Sequence, residues 1–225
     1  MPLTLGLIHT SATLVPIFQK LCDELLPGVK VFNIVDDSLI KDVISNGKLT
    51  STTARRVVDY VGSAEIAGAD HILVTCSSIG AAVETAAFLT NIPVLRVDQP
   101  MADEAIRLGT RIGVVATLPT TLAPTADLVK HRASFAGKKV EISSVLCDGA
   151  FDALMSGNVE VHDEKVAAAL KNLSLKVDVI ILAQASMARV VGRLSDEEKI
   201  VPILASPLLA IKYLAKLFKT ADANN

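Results

Sequence analysis

Short apolar runs separated by amphipathic segments repeat along the whole chain. Runs of β-branched character lie at 3–9, 31–35, 71–75, 93–97, 111–116, 140–146, 178–183 and 200–204. The segments between these runs include several with apolar residues at helical spacing, at 13–26, 52–67, 79–89, 121–136 and 165–173. Fully apolar short strands that alternate with helices are typical of parallel sheets buried on both faces. The pattern therefore predicts an α/β fold.

The second half of this pattern repeats the first. Cys76 and Gln184 each follow the third apolar run of their half. Thr10 and Thr117 follow the first run of each half, and a proline stands at the fourth run of each half. The members of all three pairs are separated by nearly the same stretch of chain, close to half its length, which indicates an internal duplication. We expect two pseudosymmetric, doubly wound domains, each with a four-stranded parallel sheet and with an active-site cleft between them.

The duplication also predicts the domain boundaries. We expect the first domain to contain 1–97 plus 206–225 and the second to contain 98–205. A last helix is expected at 207–218 and should pack back onto the first domain. Its apolar positions recur at helical spacing and are Leu208, Leu209, Ile211, Leu214, Ala215 and Phe218. The tail at 220–225 is expected to be disordered.

Charge and composition limit the classes of ligand that the protein is expected to bind. The 225 residues include 22 basic and 24 acidic side chains, and only 4% are aromatic. This composition gives no electrostatic case for a nucleic acid or membrane partner, and no platform for stacking bases. No apolar run reaches the roughly 18 to 20 residues that span a bilayer, and the N-terminus predicts a strand and not a signal peptide. We therefore expect a cytoplasmic protein that binds a small polar or anionic substrate.

The cysteines and histidines show neither a disulfide framework nor metal-ligand spacing. Cys22 falls in an apolar helical pattern, and Cys147 ends a strand; a structural role is favoured for both. No glycine-rich phosphate loop follows the first strand. We expect a protein that has reduced thiols and uses no metal or other cofactor.

Ligands of open parallel sheets bind at the carboxyl ends of the strands. Applied to this chain, the rule selects a set of candidate substrate-binding residues that follow predicted strands. They are Thr10, Ser11, Asp36, Thr75, Ser77, Ser78, Thr117, Thr120, Gln184, Ala185 and Ser186. Asp36 would orient a substrate ammonium or hydroxyl group, although turn formation explains it nearly as well.

Cys76 is the candidate catalytic residue. It leaves a buried strand and precedes a predicted helix, for which Ser77 or Ser78 would be the N-cap. A helix N-terminus favours the thiolate and can also hold a substrate carboxylate. Such a thiolate suits proton abstraction from the carbon next to the carboxylate, or attack on an unsaturated acid. The alternative is an inert, buried cysteine.

The order and spacing of four segments give a more specific indication. They are Val74-Thr75-Cys76-Ser77-Ser78, Gly113-Val-Val-Ala-Thr117-Leu-Pro-Thr120-Thr121, Asp148-Gly149-Ala150-Phe151 and Leu182-Ala183-Gln184-Ala185-Ser186-Met187. Together they resemble the aspartate/glutamate/hydantoin racemase superfamily over essentially the whole chain. The resemblance implies metal-free, cofactor-independent chemistry at the α-carbon of a small carboxylate, with Thr117 helping to bind that carboxylate. It also implies a cleft between two domains and supports a homodimer or higher homo-oligomer.

The chain departs from that family at one position. Racemases of the family use one cysteine from each half, whereas this chain has Cys76 in the first half and Gln184 in the second. A carboxamide cannot serve as the second base, but it can donate a hydrogen bond to a carboxylate or an enolate oxygen. His9, at the end of the first strand, is the candidate second acid or base, with a structural histidine as the equal alternative. His71, His131 and His162 are expected to be structural, the last two in exposed stretches.

Three functions remain open at this stage. The first is a racemase or isomerase with Cys76 as its single thiol. The second is a single-cysteine decarboxylase of a substituted malonate; family members of this kind retain the cysteine of the other half. The third is a non-catalytic carboxylate-binding protein on the same scaffold.

Overall fold

The strands of the protein form two four-stranded parallel sheets. The computed structural model describes residues 2–222, with side chains through Thr220. These residues divide into two compact units, of which one contains the residues up to Asp98 and from Pro207 onward and the other contains Gln99–Ser206. The sheet orders are β2-β1-β3-β4 and β6-β5-β7-β8. The predicted α/β class with two four-stranded parallel sheets is confirmed.

The first sheet alternates with helices along the chain. Its elements are β1 (Thr4–His9), α1 (Val15–Leu25), β2 (Lys30–Val35), α2 (Ser38–Asn46), α3 (Ser51–Ile66), β3 (His71–Val74), α4 (Gly80–Ala87) and β4 (Val94–Arg96). Successive residues of a strand point to opposite faces. Accordingly Leu5 and Leu7 pack with Phe18 of α1, whereas Ile8 packs with Val57 of α3. Both faces of the central strand are covered, which explains why its middle positions Leu5, Leu7 and Ile8 are apolar and buried.

The second sheet is built in the same way. Its elements are α5 (Gln99–Leu108), β5 (Arg111–Ala116), α6 (Pro119–Phe135), β6 (Glu141–Leu146), α7 (Ala150–Met155), α8 (Val159–Ser174), β7 (Val179–Leu182), α9 (Ala188–Val191) and β8 (Ile203–Ala205). Val115 and Ile180 pack with Leu170 of α8.

A glycine stands at the third position of the central strand in each unit. A Cβ at Gly6 would lie 3.1 Å from the Phe32 ring, and a Cβ at Gly113 would lie 2.6 Å from Leu173 Cδ2. Each glycine therefore lets its neighbours approach the sheet closely. Gly6 and Gly113 hold equivalent positions in β1 and β5, in agreement with the duplication.

The last helix, α10 (Ser206–Asp222), packs on the first unit as predicted. Ile211, Leu214 and Phe218 are buried in one cluster with Leu5. Two details of the prediction are wrong. Leu208 is 42% exposed, and the helix continues through the beginning of the tail that was expected to be disordered. The rest of that tail, 223–225, lies outside the described residues.

Candidate active site

The carboxyl ends of β1 and β3 lie side by side in the first unit. Ile8 is the register partner of Val74, and the Thr75 N–H donates to the Ile8 carbonyl at 2.9 Å. Thr10 and Cys76 each come two residues after this pair. The fold therefore brings these two predicted site residues to the same edge of the sheet.

Hydrogen-bond donors surround the sulfur of Cys76. Burial raises the pKa of this thiol, whereas hydrogen bonds from the Thr10 hydroxyl, the N–H groups of Ser78 and Ile79 and the Ser78 hydroxyl lower it. Burial has the larger effect, so the pKa lies above its ordinary value. Cys76 thus holds its proton at rest, in surroundings that would also stabilise the thiolate once it forms.

The turn after Cys76 differs from the prediction. Residues Ser77–Ile79 form a 3-10 turn, and the helix α4 begins at Gly80 with Ile79 as its N-cap and without a side-chain cap. The prediction that Ser77 or Ser78 caps this helix is therefore wrong. The 3-10 turn displaces both serines from the capping position, and the Ser78 hydroxyl is turned to the sulfur instead. Both serines are buried.

The other two cysteines have no comparable surroundings. Cys22 and Cys147 are buried among apolar side chains. Burial raises the pKa of each thiol to about 11. Both remain protonated near neutral pH, which agrees with the structural role expected for them.

His9 is held at both ring nitrogens. Nδ1 lies 2.8 Å from the Thr75 hydroxyl, and Nε2 lies 2.9 Å from Asn33 Oδ1. Since Oδ1 can only accept, Nε2 carries a proton. The side chain is fully buried beside the Phe18 ring, and this burial lowers the pKa of His9. The geometry favours the structural alternative for His9 over a role in proton transfer.

Asp36 and Ser11 make local contacts. The Asp36 carboxylate is paired with Arg56, accepts a hydrogen bond from the Tyr60 hydroxyl at 2.7 Å, and accepts the backbone N–H two residues further on at 3.0 Å. The Ser11 hydroxyl caps the 3-10 turn that precedes α1 and contacts the Thr13 hydroxyl at 2.8 Å. Turn formation and an ion pair account for Asp36 without a ligand.

A buried ion-pair cluster supports the first turn of α4, and the sequence analysis did not find it. Arg96, 6% exposed, donates from Nε and Nη2 to the two carboxylate oxygens of the fully buried Asp98, at 3.1 and 2.9 Å. Arg96 also pairs with Glu84 of α4. A Cβ at Gly80 would overlap the Arg96 guanidinium. Only a glycine at the start of α4 therefore fits against this guanidinium.

The second unit repeats the backbone of the first at the corresponding edge. Gln184 has φ −133° and ψ 138°, and Cys76 has φ −132° and ψ 119°. A 3-10 turn follows each residue, here Ala185–Met187, and a helix follows each turn. Gln184 is thus the structural counterpart of Cys76. Ala185 and Ser186, two further predicted site residues, lie in this turn and are partly buried.

The Gln184 side chain is anchored to Thr117. The backbone N–H and the hydroxyl of Thr117 donate to Gln184 Oε1 at 2.6 and 3.0 Å. Because a backbone N–H can only donate, the atom that faces it must be the amide oxygen. The Nε2 group, with its two N–H donors, therefore faces away from Thr117.

Thr120 lies in the first turn of α6, close in sequence to this anchor. Its Oγ1 is buried, and the described residues provide no hydrogen-bond partner for it. Buried hydroxyl groups without a partner are uncommon in native proteins. Thr120 therefore stays a candidate ligand contact.

An ion cluster around the buried Asp163 joins α8 to α9. Asp163 contacts His162 Nδ1 at 2.7 Å, Arg189 at 2.9 Å and Arg193 at 2.7 Å. His162 is fully buried, so the prediction that it lies in an exposed stretch is wrong. The polar composition of its segment suggested exposure, but the neighbouring Asp163 is itself buried and is paired with Arg189 and Arg193.

Two searches of the described residues were negative. Between residues 2 and 220 there is no group of three or more His, Cys, Asp or Glu side chains that could hold a metal ion. None of the described helices has the length and apolarity needed to cross a bilayer.

Solved structures of several racemases resemble this protein. Glutamate racemase from Thermus thermophilus has a TM-score of 0.75 at 16% identity, covering 98% of this chain and 82% of its own. Allantoin racemase from Klebsiella pneumoniae has a TM-score of 0.71 at 17% identity, covering 97% and 89%. Aspartate racemase from Picrophilus torridus has a TM-score of 0.69 at 14% identity, covering 95% and 94%. At these identities the likeness shows the fold.

Sequence comparisons give the family. No curated protein sequence matches this chain. The model of the Asp/Glu/Hydantoin racemase family, however, matches residues 5–214, which is nearly the whole chain. The protein therefore belongs to the Asp/Glu/hydantoin racemase family and has the two-sheet fold of a racemase-type enzyme.

Proposed function

We propose that this protein is a cofactor-independent isomerase or racemase that acts at the α-carbon of a small carboxylate, with Cys76 as its single catalytic thiol. The substrate would be an amino acid or a related acid. Thr10, Ser77, Ser78 and Thr75 belong to the edge of the sheet where this substrate would lie.

The observation that carries the proposal is the set of donors around the Cys76 sulfur. A partly buried thiolate without partners would be disfavoured. Hydroxyl and backbone N–H donors from Thr10, Ser78 and Ile79 offset part of that cost. An inert core cysteine, such as Cys22, is packed among apolar groups instead.

The proposed reaction moves one proton. The Cys76 thiolate takes the α-proton, so that the C–H bond breaks, an S–H bond forms and the electron pair moves onto the substrate carboxylate as an enediolate. Return of the proton from the S–H group to the same face restores the original enantiomer and gives exchange only. Racemisation requires the planar enediolate to turn over in the site, so that the S–H group returns the proton to its opposite face. Because the pKa of Cys76 lies above its ordinary value, the thiolate is the minor form near neutral pH, and its population limits the first step.

The same raised pKa favours a second candidate, a decarboxylase of a substituted malonate. Loss of CO₂ breaks a C–C bond and leaves its electron pair on the α-carbon. A thiol that is protonated at rest can donate its proton to that carbanion directly, and water then reprotonates the thiolate. Gln184, which has no proton to give near neutral pH, would leave Cys76 as the sole proton donor.

A carboxylate-binding protein without activity is the third candidate. Binding requires donors but no thiol, so this candidate predicts that Cys76→Ser retains full function. Cys76→Ser therefore distinguishes this candidate from the two enzymes.

Proton exchange in D₂O separates these candidates. The protein is incubated with amino acids, hydroxy acids and substituted malonates, and NMR follows deuterium entering the α-position. Cys76→Ala should abolish exchange, whereas Cys22→Ala, which removes a buried thiol of the same unit, should leave the exchange rate per folded molecule unchanged.

The products then assign the reaction. Racemisation requires both enantiomers to appear from either one, and decarboxylation requires CO₂ and a monodeuterated acid from a malonate. Ligand binding without exchange in the wild type, unchanged in Cys76→Ser, would overturn the enzymatic proposal.

A further inference from the structure

The contact between Thr117 and Gln184 has the chemistry of a carboxylate site. The Thr117 N–H and hydroxyl converge on one sp² oxygen, at 2.6 and 3.0 Å. A carboxylate oxygen accepts the same two bonds, and accepts them more strongly because it is charged. In this protein, however, the accepting oxygen is Oε1 of the protein's own Gln184 side chain.

We propose that Gln184 is an internal ligand that occupies the carboxylate cradle formed by Thr117, and that it thereby selects which group of a ligand binds at this edge of the second unit. While Oε1 accepts from Thr117, the Thr117 donors are occupied. A ligand at this edge of the second sheet then meets the N–H donors of Gln184 Nε2 instead. An uncharged acceptor such as an amide or ketone oxygen can bind to Nε2 without displacing Gln184. A carboxylate that needs the Thr117 donors must displace the side chain first.

The burial of the two residues supports this role. Thr117 is 4% exposed, whereas Gln184 is only partly buried. Gln184 is thus the more accessible of the two residues, and removal of its side chain would free the two Thr117 donors for a ligand. The partnerless hydroxyl of Thr120, three residues further on, is a second polar group that a ligand entering there could satisfy.

The inference deepens the proposed function and rests on it for the choice of carboxylate ligands, but it can be tested without catalysis. Proteins labelled with ¹⁵N-threonine report the Thr117 amide proton by NMR. A short N–H···O bond shifts this proton downfield. We expect a downfield signal in the wild type and an upfield shift in Gln184→Ala.

Acetate and acetamide then serve as probes, since acetamide is the head group that the Gln184→Ala substitution removes. In Gln184→Ala, both probes should return the Thr117 signal downfield in a saturable way, acetate more tightly than acetamide. The wild type should bind acetate at Thr117 about tenfold more weakly than the variant, because the two bonds to Gln184 must be broken first. Gln184→Glu carries its own carboxylate and should keep the signal downfield without any probe.

Two results would overturn the inference. One is a Thr117 signal in Gln184→Ala that neither probe moves, since the donors would then form no anion cradle. The other is equal acetate affinity in the wild type and the variant, since Gln184 would then block nothing. Neither result depends on Cys76, so a failure here is distinguishable from an absence of α-proton exchange.

Discussion

At Cys76, burial and hydrogen bonding act in opposite directions on a single proton. Burial prevails, and the pKa is raised although Thr10, Ser78 and Ile79 all favour the thiolate. The donors therefore bring the pKa back towards its ordinary value without making the thiolate the main form at rest. This property suits a residue that both takes and returns a proton.

Alkylation at varied pH tests this balance. Iodoacetamide reacts with the thiolate, so the rate at Cys76, followed by peptide mass spectrometry, should rise with a midpoint above that of a free thiol. Thr10→Val removes one donor and should move the midpoint to still higher pH. A Cys22→Ser, Cys147→Ser background excludes the other thiols. A midpoint at or below that of a free thiol would contradict the role of burial.

Some site residues could be predicted from the sequence, but their contacts could not. Cys76 could be identified because it follows a predicted strand, and Gln184 because it holds the same position in the duplicated half. The partners of His9 could not be found in the same way, since Asn33 lies in β2 and Thr75 directly follows β3, and their approach depends on sheet register. The sequence therefore left open whether His9 is structural or transfers a proton, and its contacts favour the structural role.

At the scale of the element, α4 depends on the ion-pair cluster beneath its first turn. Arg96 joins Asp98 after β4 to Glu84 on α4, and its guanidinium occupies the space that a side chain at Gly80 would need. The helix thereby holds the 3-10 turn whose N–H groups contact the Cys76 sulfur. Buried pairs seldom add much net stability, but removing one partner leaves an uncompensated charge.

Arg96→Met should accordingly lower the free energy of unfolding by about 3 to 5 kcal/mol, because Asp98 loses its buried counter-ion. Asp98→Asn added to Arg96→Met should restore most of that loss. Arg107→Met, which breaks the exposed pair with Glu104, is the matched control and should cost less than about 1 kcal/mol. Urea unfolding measures all of these. Equal effects of Arg96→Met and Arg107→Met would refute the buried-charge explanation.

The sequence predicted the strands more completely than the helices. All eight strands were found, because each contains apolar, β-branched residues, although β8 begins three residues later than the run at 200–204. The helices α2, α5, α7 and α9 were missed: α2, α7 and α9 are short, and α5 has a proline at its second position. α8 begins six residues before its prediction, since its first turns are polar around the buried His162.

At the scale of the whole molecule, three large apolar side chains of the first unit are left exposed at one place. Ile66 and Phe88 are each 89% exposed and Leu89 is 66% exposed. They lie at the ends of α3 and α4, where the Asn91 N–H of the segment after α4 donates to Glu65 Oε1 of α3 at 3.0 Å. Clustered exposed apolar groups of this kind indicate an interaction surface. The homo-oligomer expected from the sequence would bury them.

We therefore expect the double variant Phe88→Ser, Leu89→Ser to have a lower molar mass in solution than the wild type, as measured by light scattering after size exclusion. Phe135→Ser is the control, because Phe135 is 85% exposed but already lies against the Arg132 guanidinium, 5.5 Å from its ring centre, in the other unit. Its mass should equal that of the wild type. Circular dichroism must show both variants folded, so that a lower mass reflects lost association and not unfolding. A wild type that is already monomeric would show that these three side chains serve no association between copies of the chain.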